Sequence, residues 1–298
     1  MDIFLERLFD GVTNGAVYAI MALALVVVFR GTGTINFAQG EMALFTTYVA
    51  WALTTQDVPV WIAALVAAAI GFVLGAVTER TLIRPVRRRN DMATLVVALG
   101  LFTGFNALAG LLFNSETKTM PSLFPGGESD YVAVGGARLY WDALGVWLFV
   151  ILVIGAVFWL FNRTRLGLHM RAVADNPESA ALSGVPTGRI LMLGWGLAGI
   201  IGSLAGVLVT PLSPHQLSLT TMFPILIYAS AAALFGGLDS PIGAVVGGLV
   251  IGVLEMMITG YVEFIGGTLP QTAALVVIVL ILLFRPTGLF GSRQMERL

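Results

Sequence analysis

The sequence predicts an all-α polytopic membrane protein with about nine transmembrane segments (8–10), arranged as two inverted repeats, and a short helix outside the bilayer. Three observations carry this. Of 298 residues, 57% are hydrophobic and only 11% are charged, against about 25% charged in a soluble domain. Runs such as "GAVYAIMALALVVVF", "LGVWLFVILVIGAVFWLF" and "TAALVVIVLILLF" approach the ~20 apolar residues that a helix needs to cross the hydrocarbon core. A weak resemblance also links the two halves of the chain.

In order, the apolar segments are 11–29, 38–54, 60–78, 92–113, 143–161, 190–209, 222–235, 242–259 and 269–284. The second and seventh are short, which suits tilted or broken helices. The opening "MDIFLERLFDG" holds Asp2, Glu6 and Asp10 against Arg7. A signal peptide begins with a basic region, so these residues are expected to be retained. All but Arg7, Lys118 and Arg138 of the 16 basic residues fall on one side of this arrangement. They cluster in "TERTLIRPVRRRND", in 163–189 and in the C-terminal tail, which marks that side as cytoplasmic. The N-terminus is then expected outside and the C-terminus inside. Trp51, Trp61 and Trp141 fall near the outer interface and Trp159 near the inner one, as aromatic belts require.

The outer loop 114–142 contains "YVAVGGARLYW", two β-prone runs around Gly135-Gly136, which predicts a hairpin with a two-residue turn. This cap could dock a soluble protein or be a loop folded for its own sake.

Segments one to four can be set against six to nine. "TINFAQGEMALFTTYV" lies opposite "LSPHQLSLTTMFPILIYA". Gly71/Gly75 lie opposite Gly243/Gly247 and Gly248/Gly252, each followed by an acid, Glu79 or Glu255. An offset of five segments is odd, so the repeats (11–113 and 190–285) would be inverted in the membrane, with a substrate route between them. Gly11/Gly15, Gly100/Gly104 and Gly202/Gly206 have the spacing that lets helices approach closely.

Polar residues interrupt both halves. "GTGTINFAQGE" brings Asn36, Gln39 and Glu41 to a glycine-rich break, and "TPLSPHQLSLTT" brings His215 and Gln216 to a proline-rich one. "FGGLDSPIGA" adds Asp239. Irregular backbone at membrane depth is tolerated where protein or a water-filled cavity satisfies it. These six residues are therefore the candidate lining of the pathway, and an ordinary polar turn is the plainer reading of the first break.

Several chemistries are disfavoured. With no Cys and with His169 and His215 far apart, neither a thiolate site nor a metal site is expected. No phosphate-binding loop of the Gly-xxxx-Gly-Lys-Ser/Thr type occurs, so the chain is not expected to be an enzyme that hydrolyses nucleotide. A chain of intramembrane carboxylates for proton coupling is missing, as is a Thr-Val-Gly-Tyr-Gly filter. No cofactor and no nucleic-acid partner are expected.

The polar stretch "HMRAVADNPESAALSGVPTGR" stands apart in so greasy a chain. Asn176 can cap a helix that Pro177 begins, Glu178 complements its dipole and Gly184 ends it. Ala180, Ala181 and Leu182 would present a small, flat surface to a groove on another protein.

"LGLHMRAVADNPESAALSGVP", "GTINFAQGEMALFTTYVAW", "FGGLDSPIGAVVGGLVIGVLE" and "LLFRPTGLFG" resemble, in order and across nearly the whole chain, the motifs of permease subunits of bacterial ABC importers for branched-chain amino acids. Two departures touch the presumed route: Gln39 stands where the family commonly has His, and the usual glycine after Pro214 is absent. The resemblance implies a single permease domain over 1–298 in the bacterial inner membrane. It implies a second permease subunit, usually non-identical, two ATPase subunits that use the ATP, and a periplasmic binding protein that delivers substrate. It makes 162–189 the cytoplasmic coupling segment, with Arg171, Ala172, Asn176, Pro177, Ala180, Ala181 and Gly184 matching the coupling motif. A permease for urea or short amides would share these motifs. A stand-alone carrier or channel would not need the docking helix.

Overall fold

The computed structural model describes residues 2–87, 91–124, 126, 130–212, 216–261, 270–284 and 287–291. The apolar segments coincide with helices: α1 (Asp2–Thr32), α2 (Gln39–Thr54), α3 (Val60–Thr78), α5 (Asp91–Phe113), α6 (Trp141–Arg163), α9 (Thr187–Val209), α10 (Met222–Gly236), α11 (Pro241–Tyr261) and α12 (Pro270–Phe284). The short helices are α4 (Arg84–Arg87), α7 (Arg165–Asp175) and α8 (Pro177–Leu182), and a π-helical turn, Glu79–Ile83, joins α3 to α4. Among the described residues, six helical stretches are long and apolar enough to cross a membrane. The protein is a polytopic helical membrane protein.

Helix α1 is central. Its most apolar window is 83% buried, against 17% for α5 and 22% for α6. A helix that is hydrophobic on every side belongs inside a bundle, and α1 is covered by α6, α9, α10 and α11. Exposed Leu148, Ile151, Leu152 and Trp159 on α6, and Leu99, Leu111 and Leu112 on α5, give those helices the apolar outer surface that lipid requires.

The most extensive helix pairs are α1 with α11 and α3 with α9, and small residues make both possible. A side chain at Gly248 or Gly252 would collide with the backbone of Ala19 or Gly15, and one at Gly71 or Gly75 with the backbone of Gly199 or Trp195. Helix α2 packs on α3, α5 and α9, while α10 packs on α11, α12 and α1. Gly202 and Gly206 on α9 leave space for Gln39 and Thr47 of α2. The spacing of Gly100 and Gly104 suggests the same use, but among the described residues no atom beyond their own local backbone lies within 4 Å of where their Cβ would be. A glycine pair permits close approach and does not by itself supply the neighbour.

The hairpin is present, with β1 (Tyr131–Val134) antiparallel to β2 (Ala137–Tyr140) and Val134 opposite Ala137. Gly135 and Gly136 have φ of +61° and +92°, the left-handed pair that a type I′ turn needs. Strand β2 lies on the start of α1, where the Arg138 amide donates to Glu6. A second cross-link at this end pairs Lys118 with Leu217 through two backbone hydrogen bonds of 2.8 Å.

Candidate functional site

Two regions combine polar side chains with irregular backbone. The first is the break between α1 and α2. Gly33 and the residues after it leave the helix, and Asn36 organises the return. Its Oδ1 accepts from the Ala38 amide at 3.1 Å and its Nδ2 donates to Gln39 Oε1 at 3.2 Å. Gln39 Nε2 then donates to the Ala198 carbonyl of α9 at 2.8 Å. Glu41 is 1% exposed; its Oε2 accepts from Asn106 Nδ2 of α5 at 2.8 Å, and that same nitrogen donates to the Leu219 carbonyl at 2.8 Å. All three expected residues are therefore buried and bonded, and Glu41 links α2, α5 and the segment before α10.

The start of α10 meets the start of α2. A Cβ at Gly40 would lie 3.1 Å from Leu226 Cβ and 3.4 Å from the Met222 carbonyl. Thr221 Oγ1 accepts from the Ser218 amide at 2.8 Å and donates to the Gln216 carbonyl at 3.3 Å. Gln216 itself is exposed, and no hydrogen bond ties it to Asn36, Gln39 or Glu41. His215 lies outside the described residues. Asp239 is elsewhere: with Arg30, Arg171, Asn162 and Ser240 it lines a cavity between α6 and α11, beside α7. The six pathway candidates thus do not form one cluster, because the α10–α11 connection lies at the opposite end of α10 from the α2 contact.

Asn106 was not singled out in the sequence. Its signal was a lone amide in the apolar run "LFTGFNALAGLLF". The Tyr18–Glu255 pair was missed as well: the Tyr18 hydroxyl donates to Glu255 Oε2 at 2.7 Å, and the Tyr18 ring stacks on Tyr228 with centroids 5.0 Å apart.

The second region is the projecting pair α7–α8. Thr164 caps α7 by accepting from the Gly167 amide at 3.2 Å, and Asn176 caps α8 by accepting from the Ser179 amide at 2.8 Å. Pro177 takes the first helical position. At the far end Gly184 has φ +84°, and Val185 N donates to the Ala180 carbonyl while Gly184 N donates to that of Ala181. This is a Schellman ending, which needs glycine at the left-handed position.

The segment is anchored on the bundle by a small apolar cluster, in which Met170, Val173 and Ala180 pack with Val27 of α1, Phe161 of α6, and Ile190 and Leu191 of α9. Ala180 was expected on the docking surface, and it is instead buried, at 6% exposure. Helical geometry turns 180 and 181 to different sides, so Ala180 holds α8 down on α9. The exposed surface is Arg171, Asn176, Pro177, Glu178, Ala181, Leu182 and Gly184, with Leu182 at 91% exposure; Ala172 is half-buried.

The architecture is that of a multi-pass helical membrane bundle with buried polar breaks inside it and a short helix pair packed against one end. The comparisons narrow that class. The family model described as the branched-chain amino acid transport system permease component matches residues 7–285, and the chain belongs to this family. It is similar to the high-affinity branched-chain amino acid permease protein BraD of Pseudomonas aeruginosa, at 29% identity over 99% of this chain and 98% of that protein. It is similar to LivH of Escherichia coli K12, at 30% identity over 99% of this chain and 97% of LivH. The ribose import permease RbsC of Escherichia coli K12 is similar at 27% identity over 84% of this chain and 77% of RbsC.

Proposed function

We propose that this chain is the permease subunit of a binding-protein-dependent ABC importer and forms the translocation pathway for branched-chain or other hydrophobic amino acids. The observation that carries the reading is the α7–α8 pair in a chain that matches the permease family from end to end. A free-standing carrier has no use for a capped helix outside the bundle whose exposed surface includes Ala181, Leu182 and Gly184. Two ATPase subunits would seat on that surface and supply the energy of ATP hydrolysis. A second permease subunit, non-identical as is usual, would complete the pathway, and a periplasmic binding protein would deliver substrate at the hairpin end.

The packing pattern supports an inverted-repeat architecture. Exchanging α1 with α9, α2 with α10 and α3 with α11 turns the α1–α11 contact into the α9–α3 contact. It also turns α2 on α3 into α10 on α11, and α2 on α9 into α10 on α1. The glycines obey the same exchange, with Gly71 and Gly75 in the roles of Gly248 and Gly252. In this reading α2, α10 and α12 are also membrane segments, nine in all. The N-terminus lies outside and the C-terminus in the cytoplasm of a cell whose inner membrane holds the complex. The meeting of the α2 and α10 starts, tied by Glu41, Asn106 and the Leu219 carbonyl, is the candidate middle of the route, as at broken helices in other transporters.

The test is reconstitution. The chain co-purified with its neighbouring subunits should bring down ATPase, and vesicles should take up labelled leucine only with ATP inside and binding protein outside. Uptake by the chain alone would refute the reading.

A further inference from the structure

Outside the regions above, a partly buried ion pair stands where three helices end. Glu79, 1% exposed, opens the π-helical turn after α3. Arg84 reaches back five residues and grips it with two nitrogens, Nε lying 3.1 Å and 3.2 Å from the two carboxylate oxygens and Nη2 donating to Oε2. The same Nη2 donates to the carbonyl of Gly188 in the first turn of α9. A Cβ at Gly188 would lie 3.0 Å from Arg84 Nη1, so a side chain there would have to push the guanidinium aside. Three residues on, Arg87 Nη1 donates to the carbonyl of Gly31 near the end of α1, at 3.2 Å.

The place matters. Helix α9 starts at Thr187, only a few residues after α8 ends at Leu182. Ala180 of α8 and Val185 of the connection pack in the same cluster as Ile190 and Leu191, which ties α8 to the start of α9. Arg84 adds a polar tie from that piece to the end of α3, a helix of the other half that also packs along α9 through Gly71 and Gly75. A guanidinium can serve a carboxylate and a carbonyl at once because its donors form a rigid planar fork, whereas an ammonium is a single point of contact. The π-helical turn is what brings Arg84 back over Glu79, and such turns recur at functional sites.

We propose that Glu79, Arg84 and the Gly188 carbonyl form a transmission clamp: displacement of α8 by the ATPase passes through the start of α9 to α3, so both halves of the permease turn together. The proposal rests on α7–α8 being the ATPase docking segment. Glu79 and Arg84 are positioning residues, since neither is on the exposed docking surface.

The experiment uses the full complex with its ATPase subunits and binding protein in vesicles. It measures ATPase retention, ATP hydrolysis, labelled leucine uptake and melting temperature for Arg84→Lys and for the double variant Glu79→Gln/Arg84→Gln. Removing Arg84 alone would strand a buried carboxylate and could prevent folding; both chosen variants avoid that. Each should retain its ATPase subunits and hydrolyse ATP while uptake per ATP falls about tenfold, within the range of measured couplings between sites. Uptake per ATP equal to wild type in both, even with a lowered melting temperature, overturns the clamp and leaves a merely structural contact. Loss of ATPase subunits from either variant also overturns it, since the pair would then serve docking. If the wild-type complex holds no ATPase at all, the importer reading fails first, and that result is separate from either variant outcome.

Discussion

Replacing Gly71 with alanine tests the packing on which the two-repeat architecture depends. A Cβ at this position would lie 2.2 Å from Ser203 Oγ and 2.5 Å from the Gly199 carbonyl oxygen. The serine is not free to swing aside without loss, because its hydroxyl donates to that same carbonyl at 2.7 Å. Ordinary contact begins near 3.4 Å, so α3 and α9 must separate by about 1 Å, and a gap of that size forfeits a quarter to a half of the dispersion energy at each atom pair it opens. Overpacking of this kind costs about 1–3 kcal/mol. Gly100→Ala is the control: among the described residues no atom beyond its own local backbone lies within 4 Å of its Cβ position, and alanine improves a helix interior by about 1 kcal/mol. Gly71→Ala receives the same propensity gain, so the two variants should differ by the overpacking cost alone, about 1–3 kcal/mol, with Gly71→Ala the less stable. Thermal unfolding in detergent, followed by the loss of the monodisperse peak, measures the difference. Gly248→Ala, the counterpart of Gly71 under the helix exchange, should fall with Gly71→Ala. Equal stability of Gly71→Ala and Gly100→Ala would refute the close-packing argument.

Other outcomes separate roles that the sequence places together. Ala181→Glu should leave the fold intact and abolish ATPase docking. Ala180→Glu should lower the melting temperature as well, since it places a charge among Met170, Val173 and Ile190; identical behaviour of the two variants in a melting assay would contradict their opposite facings. Asn106→Leu strands the Glu41 carboxylate and should cost at least the about 1–3 kcal/mol of an unsatisfied buried group, slowing uptake without releasing the ATPase. Unchanged uptake per assembled complex would remove Asn106 and Glu41 from the route. Single cysteines added to the cysteine-free chain test orientation: Val134→Cys should react with an impermeant thiol reagent in intact cells and Ser183→Cys only after lysis, and the reverse pattern would invert the topology.

How much was legible in the sequence depended on whether the cause was local. Helix existence was legible because a segment such as "GAVYAIMALALVVVF" can satisfy its backbone in lipid only by coiling on itself. The hairpin turn was legible because only glycine takes two left-handed residues in succession at no cost, and Gly135-Gly136 sit between two β-prone runs. The caps Asn176, Pro177 and Gly184 were legible for the same reason: each acts on backbone within a few residues of itself.

What needed the tertiary structure was every choice between faces and partners. Gly71 and Gly100 carry the same spacing signal, yet the Cβ position of one meets α9 and that of the other meets no neighbouring helix within 4 Å among the described residues. Ala180 and Ala181 are adjacent and identical in type, yet one is core and the other is exposed. Glu41 reads as a polar residue at a break until Asn106 arrives from 65 positions away, and Glu79 reads as one charge in a basic loop until Arg84 ties it to Gly188, a further 104 positions on. Hydropathy and capping are properties of a residue and its near neighbours along the chain. Which atom occupies the space beside a side chain is settled by the packing of distant helices, and no local pattern encodes it.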